Sequence, residues 1–251
     1  MITGFVPARK GSERLANKNM RPLAGVTLAS LSVIQALDLH HLRGVVFSTD
    51  SNEYAESVLR DVERLGRSTE RLTIHYRDSN AAGSQSKIFD VLQRLNSETF
   101  FESGFVALML PTAPLRRRST AEFILNRAET QGQTSFTACP YDFHVSFAFT
   151  SSNEGGPVDG WKPLLEHNPM LTGVTRSQDQ VNYLHPHGGF ALIDTRKLPD
   201  QATLYEGSAA VQTTRIEGLD IDVSEDLSLV RCLEGSLAQN FPFLPEAETG
   251  A

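Results

Sequence analysis

The segment from residue 6 to residue 19 mixes small residues with cations, a combination that suits a polyphosphate. It reads VPARKGSERLANKN and follows an apolar run at the N-terminus. Gly11 and Ser12 let backbone N–H groups approach phosphate oxygens, and Arg9 and Lys18 can neutralise the charge that grows on a departing pyrophosphate. The glycine spacing matches neither the P-loop nor the dinucleotide-binding fingerprint. The segment therefore predicts a phosphate-binding loop of another kind, with a solvated basic turn as the alternative.

Two acids near the C-terminus supply the opposite charge. Asp220 and Asp222 flank Ile221, and the two-residue period of a strand would place both carboxylates on one face. One or two carboxylates with substrate phosphates are a typical ligand set for Mg²⁺. The alternative is that Asp222 caps a helix ahead of Ser224 and that Asp220 is an exposed strand residue. Asp226 is expected to face solvent on the first turn of that helix.

Further candidates lie at the ends of predicted strands. Asp50 ends the second strand and precedes a helix, so it either contacts a ligand or caps the helix. Thr112 and Arg116 follow an apolar run at 105–110, at the edge where open α/β sheets place ligands in a crevice. Arg116 could meet an anion there. This edge of the predicted sheet is therefore a second region to search for a binding site.

Two histidines have the alternate spacing of an extended segment. In a strand, the rings of His185 and His187 would share one face and could bind an anion or a metal. No zinc-helix motif and no third ligand lies nearby in the sequence, which favours polar lining of a cleft over a metal site.

Short apolar or β-branched runs alternate with segments of helical period, the pattern of an α/β fold with a mainly parallel sheet flanked by helices. A capping box of Ser119 and Glu122 predicts one helix start, and Ser224 is expected to cap the last helix. From about 140 to 186 the rhythm breaks into Gly, Pro, Asn and His, which indicates an arm inserted in a single domain of residues 1–251. The predicted strands cover residues 2–6, 45–47, 72–76, 105–110 and 189–193.

Composition and charge exclude several classes of protein. The 23 basic and 30 acidic residues give a net charge of −7, which argues against a nucleic-acid-binding protein, and a hydrophobic share of 40% excludes a disordered chain. The longest apolar run, 105–110, is far shorter than the ~20 residues of a membrane span, and Arg9 and Lys10 interrupt any signal-peptide core. We therefore expect a cytoplasmic protein without membrane contact, with Cys139 and Cys232 as buried thiols.

In their order along the chain, these motifs resemble those of cytidylyltransferases that activate acidic sugars, above all the CMP-sialic acid synthetases (acylneuraminate cytidylyltransferases). The N-terminal loop nearly matches their signature Ala-Arg-x-x-Ser-x-x-Leu-x-x-Lys-Asn. The resemblance covers nearly the whole chain and implies the Rossmann-like sheet of nucleotide-diphospho-sugar transferases. It extends through Ser48-Thr49-Asp50, Leu110-Pro-Thr-Ala-Pro-Leu-Arg116, Arg176-Ser-Gln-Asp179, Gly188-Gly189 and Asp220-Ile-Asp222.

The resemblance implies a Mg²⁺-dependent enzyme that transfers CMP from CTP to a small acidic acceptor and releases pyrophosphate. Arg9 and Lys18 would contact the CTP phosphates, and Asp220 and Asp222 would hold Mg²⁺. The arm would carry a homodimer contact. The nucleotide-binding candidates are Ala8, Arg9, Lys10, Gly11, Ser12, Lys18, Asp50 and Ser84.

The departures from the family pattern cluster in the acceptor half. Leu110 stands where sialate enzymes have a sugar-reading glutamine, Gly83 replaces an aspartate, and His187-Gly-Gly-Phe-Ala191 replaces Asn-Gly-Ala-Ile-Tyr. Losing a buried amide costs several kcal/mol against the old substrate, so we predict an altered acceptor. The residues predicted to bind the acceptor are Leu110, Thr112, Arg116, Arg176, Gln178, His185 and His187.

Three hypotheses about function stay open at this stage. By resemblance, the default acceptor is a sialic-, legionaminic- or pseudaminic-type nonulosonic acid or a shorter keto-deoxy sugar acid. A phosphonate is the alternative acceptor, because its dianion would tolerate the loss of sugar-reading amides. A non-catalytic regulatory module that binds nucleotide is the alternative from another class, and the intact Lys18 and paired aspartates argue against it.

Overall fold

The structure, a computed structural model, describes residues 1–12, 14–77, 88–98, 100–101, 104–150 and 161–237. Strands and helices alternate along most of this chain, as their hydrophobic periods predict. The strands are β1 (Ile2–Ala8), β2 (Pro22–Leu23), β3 (Val26–Thr27), β4 (Gly44–Thr49), β5 (Leu72–Tyr76), β6 (Phe105–Leu108), β7 (Ser135–Pro140), β8 (Phe149–Thr150), β9 (Lys162–Pro163), β10 (Leu184–Asp194) and β11 (Ala209–Gln212). The helices are α1 (Leu28–Leu37), α2 (Asn52–Arg64), α3 (Ile88–Ser97), α4 (Arg118–Gln131), α5 (Pro169–Thr172) and α6 (Ser224–Leu237).

Seven strands form one mainly parallel sheet in the order β11-β7-β10-β6-β1-β4-β5. β1 pairs in parallel with β4 on one side and with β6 on the other, and β5 continues the parallel set beyond β4. β10 is antiparallel to both β6 and β7. The prediction of a mainly parallel α/β sheet is confirmed, and the carboxyl ends of β1, β4, β5 and β6 meet at one edge.

Burial on both faces explains why the central strands are apolar throughout. Phe5 and Val6 of β1 and Phe47 of β4 have no exposed surface, as expected for strands that helices cover on both sides. The side chains of α1 are also all buried, and the Thr27 hydroxyl accepts a hydrogen bond from the Ser30 backbone N–H at its start. Burying each large apolar side chain contributes roughly 1.5–3 kcal/mol, so this layer contributes much of the stability of the sheet.

Two predicted helix caps are wrong. α4 begins at Arg118 instead of Ser119, and Glu122 accepts a hydrogen bond from Arg118 Nε at 2.8 Å rather than closing a capping box. α6 begins at Ser224 itself. Its start is held by Asp226 Oδ2, which accepts hydrogen bonds from the backbone N–H groups of Asp222 (2.8 Å) and Val223 (2.9 Å). Asp226 is therefore the capping side chain, because it reaches back to N–H groups that the helix leaves unpaired.

Between β7 and β10 the chain forms an arm of short elements, and it leaves several large apolar side chains exposed. β8 pairs with β9, and the rings of Phe149 and Trp161 meet with centroids 5.8 Å apart. β10 starts at Leu184, five residues before the strand predicted at 189–193. Exposed apolar residues of the arm include Leu164, Leu171, Val174 and Val181.

Two further expectations concern the cysteines and the membrane. Cys139 is buried as expected, whereas Cys232 is exposed on α6, so the prediction of two buried thiols is wrong for the second. In the part of the chain that the structure describes, no helix is both long enough and apolar enough to cross a bilayer.

Candidate active site

The N-terminal loop leaves β1 at the carboxyl edge of the sheet and is closed by a buried amide. Asn19 is only 7% exposed, and its Nδ2 donates a hydrogen bond to the Arg9 carbonyl at 3.2 Å, which joins the two ends of the loop. Gly11 has a φ of +90° and Asn17 a φ of 51°, both in the left-handed region that glycine and asparagine tolerate best. The described residues of the loop therefore have a defined backbone conformation.

Lys18 joins this loop to the acidic segment. Its Nζ lies 2.8 Å from Asp222 Oδ1, and Arg14 Nη1 lies 2.9 Å from Asp222 Oδ2. The Lys18 side chain is only 15% exposed, whereas that of Arg14 is 67% exposed. The pair Lys18–Asp222 is thus the better shielded of the two, and its Coulomb interaction is stronger than that of a surface salt bridge. The contact spans 204 residues of sequence.

A cavity of about 350 Å³ opens beside the loop. Its cationic lining consists of Arg9, Arg14, Lys18 and Arg77. Ser12 lines it from the loop, and no carboxylate is among its described lining residues. Leu110 and Thr112 form part of its wall, as expected of the turn after β6. A small pocket with four cations is suited to a polyphosphate.

Arg77 is a cation of this cavity that sequence reasoning missed. It directly follows β5, its backbone N–H donates to the Thr49 carbonyl at 2.8 Å, and its Nη2 donates to the Ser48 carbonyl at 3.3 Å. Burial lowers the pKa of Arg77, Asp50 opposes that shift and Arg9 adds to it. The rule that ligands bind at the carboxyl ends of parallel strands would have singled it out.

Asp50 supports the loop and does not cap α2. Its Oδ1 accepts a hydrogen bond from the Lys10 backbone N–H at 2.7 Å, while the Ser51 hydroxyl caps α2 by accepting from the Tyr54 backbone N–H. The Lys10 ammonium pairs with Glu53 at 3.1 Å on the surface. Ala8 ends β1 next to Thr49. Ser84 lies outside the described residues.

The acids lie on an extended segment that is not part of the sheet. Ile221 is fully buried, and its N–H donates to the Thr112 carbonyl at 2.7 Å, which anchors the segment to the turn after β6. Asp220 is exposed, and Asp222 binds the loop cations instead of capping α6. Asp222 contacts a cation of the cavity beside the loop and Asp220 lines another cavity, and carboxylate oxygens are donors that Mg²⁺ prefers. Among the described residues, no third acidic residue, histidine or cysteine joins Asp220 and Asp222 in a metal-binding cluster.

Arg116 is a structural residue, and the expectation that it meets an anion is wrong. It is 3% exposed, its Nε donates to the Gly189 carbonyl at 2.7 Å, and its remaining contacts are internal. Burial lowers the pKa of Arg116 to about 9, with Asp220 opposing the shift, so it stays protonated at neutral pH. The other groups that its guanidinium binds are the Leu110 carbonyl, the Ser32 hydroxyl and the Gln35 side-chain oxygen.

Leu110 and Gly188 are packed so closely that a side chain at position 188 would require Leu110 to move. A Cβ there would lie 2.7 Å from Leu110 Cδ1, and the Leu110 N–H donates to the Gly188 carbonyl at 3.0 Å. The leucine that replaces the family's glutamine therefore covers the glycine backbone at the boundary of the cavity.

His187 lies where the pairing register of β10 with β7 shifts, between Pro186 and Ala191. Its Nδ1 accepts from the Gly189 N–H at 3.1 Å, so Nε2 carries the proton and donates to the Thr213 hydroxyl at 2.9 Å. Burial, then Arg116, then His185 lower the pKa of His187 to about 4. The neutral ring has both nitrogens engaged within the protein, which argues against the acceptor contact that the sequence predicted.

We expect the stability of the protein to fall as pH drops from about 6.5 towards 4. Between these pH values His187 is protonated in the unfolded chain but neutral in the native protein. Acid therefore lowers the free energy of unfolding, by up to about 3 kcal/mol. Urea unfolding at several pH values measures this loss. His187→Gln, which cannot titrate, should show a flatter dependence, and equal slopes for both proteins would contradict the assignment.

The other predicted acceptor residues lie apart from the loop. Arg176 is 74% exposed at its side chain and lies 3.9 Å from Asp179, next to the short turn Ser177–Asp179 that contains the exposed Gln178. Neither lines the cavity beside the loop. His185 is half-buried on β10 and lines a separate cavity. The structure thus brings together the loop, Asp222, Leu110 and Thr112, and leaves the arm residues outside this group.

Comparison with known proteins gives consistent matches. A family model described as cytidylyltransferase matches residues 3–99, which contain the N-terminal loop and Asp50. The CMP-N,N'-diacetyllegionaminic acid synthase of Legionella pneumophila is 28% identical over 165 residues, which are 65% of this chain and 67% of that protein. The pseudaminic acid cytidylyltransferase of Campylobacter jejuni is 24% identical over 231 residues, 91% of this chain and 94% of that protein.

Solved structures share the fold at low identity. CMP:2-keto-3-deoxy-manno-octonic acid synthetase in complex with CTP superposes with a TM-score of 0.61 and 15% identity, over 96% of this chain and 99% of the other. 4-Diphosphocytidyl-2C-methyl-D-erythritol synthase gives a TM-score of 0.61 at 10% identity, over 92% and 97% of the two chains. These likenesses concern the architecture of the sheet and its helices.

Proposed function

We propose that this chain is a cytidylyltransferase, a nucleotidyltransferase like the proteins that it resembles, and that it transfers CMP from CTP to an acidic nonulosonic sugar and releases pyrophosphate. The observation that carries this proposal is the 2.8 Å contact between Lys18 and Asp222 at the cationic cavity. This contact joins the predicted phosphate loop to one of the two predicted acids, which supports a reaction at the phosphates of CTP.

The residues of the cavity have distinct tasks in this reaction. Arg9, Lys18 and Arg77 would hold the triphosphate, and Lys18 is the least exposed cation beside the acids. An acceptor hydroxyl attacks the α-phosphorus and gives its proton to water, the bond between the α-phosphorus and the oxygen that bridges it to the β-phosphorus breaks, and pyrophosphate leaves. Preorganised cations stabilise the negative charge that spreads over the leaving group.

Asp220 and Asp222 are the residues that would hold Mg²⁺. When bound, the ion offsets the charge of the triphosphate and orients it for in-line attack. The carboxylate of Asp222 pairs with Lys18 and Arg14, so these cations would turn to the phosphates when the nucleotide binds. The charge of Asp222 would then be compensated by Lys18 and Arg14 without nucleotide and by the metal ion with it.

The acceptor class rests on the named relatives and on the loss of the family's glutamine. The Legionella and Campylobacter relatives are named for legionaminic and pseudaminic acid, and Leu110 presents an apolar wall where a sugar-reading amide was expected. An acidic sugar with apolar substituents fits this wall better than one that offers only hydroxyl groups. CTP as substrate also supports a place in the cytoplasm.

Pyrophosphate release from CTP tests the proposal. The purified protein is incubated with CTP, Mg²⁺ and one acid from a panel of nonulosonic acids, keto-deoxy sugar acids and phosphonates, and ATP, GTP and UTP serve as controls. We expect release that needs CTP, Mg²⁺ and a nonulosonic acid together. Turnover with a phosphonate alone would identify the other acceptor class. Tight CTP binding without turnover for any acceptor would identify a non-catalytic module.

We further propose that the arm between β7 and β10 joins two copies of the chain. Leu164, Leu171, Val174 and Val181 expose apolar surface there, and large exposed apolar surfaces are typical of protein–protein interaction sites. Sedimentation at micromolar concentration should therefore give a dimer. Leu171→Asp and Val181→Asp together should give a monomer, and a wild-type monomer would contradict the proposal.

A further inference from the structure

A second cavity, of about 540 Å³, is lined by Asp220 and by residues of β7, β10 and the arm. Asp220 lines it, while Asp222, two residues further on, contacts Lys18 of the first cavity. An acceptor oxygen that attacks a nucleotide held by Lys18 must reach this boundary. The second cavity is therefore the space that the rest of the acceptor would occupy, and its volume lies in the range of cavities that hold drug-sized ligands.

The walls of this cavity are largely apolar. Its only described cation, Arg215, is balanced at the rim by Asp142, with Nε and Oδ1 2.9 Å apart. Apolar substituents of an acceptor would therefore pack well against these walls. The apolar side chains are those of Tyr141, Phe143, Val145, Ala148, Leu164 and Leu219.

A thiol and an imidazole meet in these walls. His185 and Cys139 stand directly opposite each other where β10 pairs with β7, and His185 Nε2 lies 3.2 Å from Cys139 Sγ. His185 Nδ1 lies 3.3 Å from the Pro186 carbonyl, which can only accept. Nδ1 therefore carries the proton and Nε2 accepts from the thiol. Burial raises the pKa of Cys139, which keeps the thiol protonated in this role.

In this arrangement His185 Nε2, a strong hydrogen-bond acceptor, is paired with the Cys139 thiol, a weak donor. An S–H group is a poor hydrogen-bond donor compared with an amide N–H or a hydroxyl. A ligand that brings such a donor to Nε2 would displace the thiol at little cost. The ring of Tyr141 lies 4.7 Å from that of His185, so an apolar group next to the ligand's donor would lie against an aromatic side chain.

We infer that His185 is a specificity-determining residue for the acceptor, its Nε2 accepting a hydrogen bond from an acylamino N–H that replaces the Cys139 thiol. The inference rests on the proposed function and names the substituent that the second cavity recognises. An acylamino group offers an N–H donor beside a methyl group, which matches the imidazole beside an apolar wall.

The test compares two acceptors in wild-type protein and in His185→Phe, which keeps the ring contact and removes the accepting nitrogen. One acceptor is an N-acylated nonulosonic acid, and the other is 2-keto-3-deoxy-octonic acid, which has no nitrogen. We expect the ratio of their kcat/KM values to fall at least about tenfold, with the KM for CTP within about twofold of wild type. His40→Asn, at an exposed histidine by the amino ends of the strands, is the matched control and should change neither quantity.

Replacing the Cys139 thiol gives a second readout, the KM for the acylated acceptor. If the thiol had only a structural role, this KM would not change in opposite directions in the two variants described next. Cys139→Ala removes the competing donor, so the KM for the acylated acceptor should stay equal or fall. Cys139→Ser introduces a stronger donor to Nε2 and should raise that KM severalfold. An equal loss in both variants would show that the thiol only packs in the core and would overturn the inference.

The outcomes separate this inference from the proposed function. An active wild type whose acceptor ratio is unchanged in His185→Phe keeps the function and overturns the inference. A wild type that releases no pyrophosphate with either acid overturns the function. In that case calorimetric titration with the acylated acid decides the inference, which stands only if the acid binds wild type and binds His185→Phe at least about tenfold more weakly.

Discussion

Replacing Lys18 with alanine is expected to lower kcat/KM for CTP at least about a hundredfold, which corresponds to about 2.7 kcal/mol of transition-state stabilisation. Lys18 lines the cationic cavity and contacts Asp222 at 2.8 Å with a side chain only 15% exposed. The negative charge that develops on the leaving pyrophosphate would interact with this ammonium in a site partly shielded from water. A fixed cation stabilises such charge more strongly there than in bulk water. Steady-state pyrophosphate release measures the effect.

The control for this change is Lys197→Ala, which removes an exposed lysine from the turn after β10. It should keep wild-type rates. Circular dichroism and thermal unfolding establish that Lys18→Ala is folded, since its loss leaves Asp222 with Arg14 as a partner. A rate near that of wild type in folded Lys18→Ala would remove Lys18 from the mechanism.

Asp222→Asn is expected to reduce turnover by a similar factor of at least about a hundred. The substitution keeps the size of the side chain and removes the charge that faces Lys18 and Arg14. An amide oxygen is a poorer ligand for a hard cation than a carboxylate, so the Mg²⁺ concentration needed for half-maximal rate should also rise. Rates measured over a Mg²⁺ titration report both effects.

The matched control is Asp200→Asn, an exposed acid outside both cavities. It should show wild-type rates and the wild-type Mg²⁺ dependence. A normal rate with unchanged Mg²⁺ dependence in Asp222→Asn would exclude this carboxylate from the site. A normal Mg²⁺ dependence with a slow rate would mean that Asp222 acts only by orienting Lys18.

The sequence predicted the parts of the site whose signal is local. The loop of small residues and cations follows β1, and the two acids alternate with a buried isoleucine. Strand period and charge are properties of neighbouring residues, so both could be found without knowing the fold. The sequence predicted that both would act on one triphosphate, whereas the direct contact of Lys18 with Asp222 across 204 residues is visible only in the structure.

The roles of residues that depend on distant partners could not be predicted from the sequence. Arg116 stands first in a run of three arginines, and nothing in the run shows that it is the one buried against α1 and β10. Arg77 acquires its place only when β5 pairs with β4. His185 lies opposite Cys139 only because β10 begins before Pro186. A shift in strand register between Pro186 and Ala191 accommodates that proline and the glycines after it.

The tight packing of Leu110 on Gly188 also limits how this site can change. A side chain at position 188 would collide with the leucine at 2.7 Å, so a mutation at either position alters the space available to the other. Redesign towards sugars rich in hydroxyl groups would have to treat positions 110 and 188 as one unit. In an alignment of descendants of this protein, the two columns should covary.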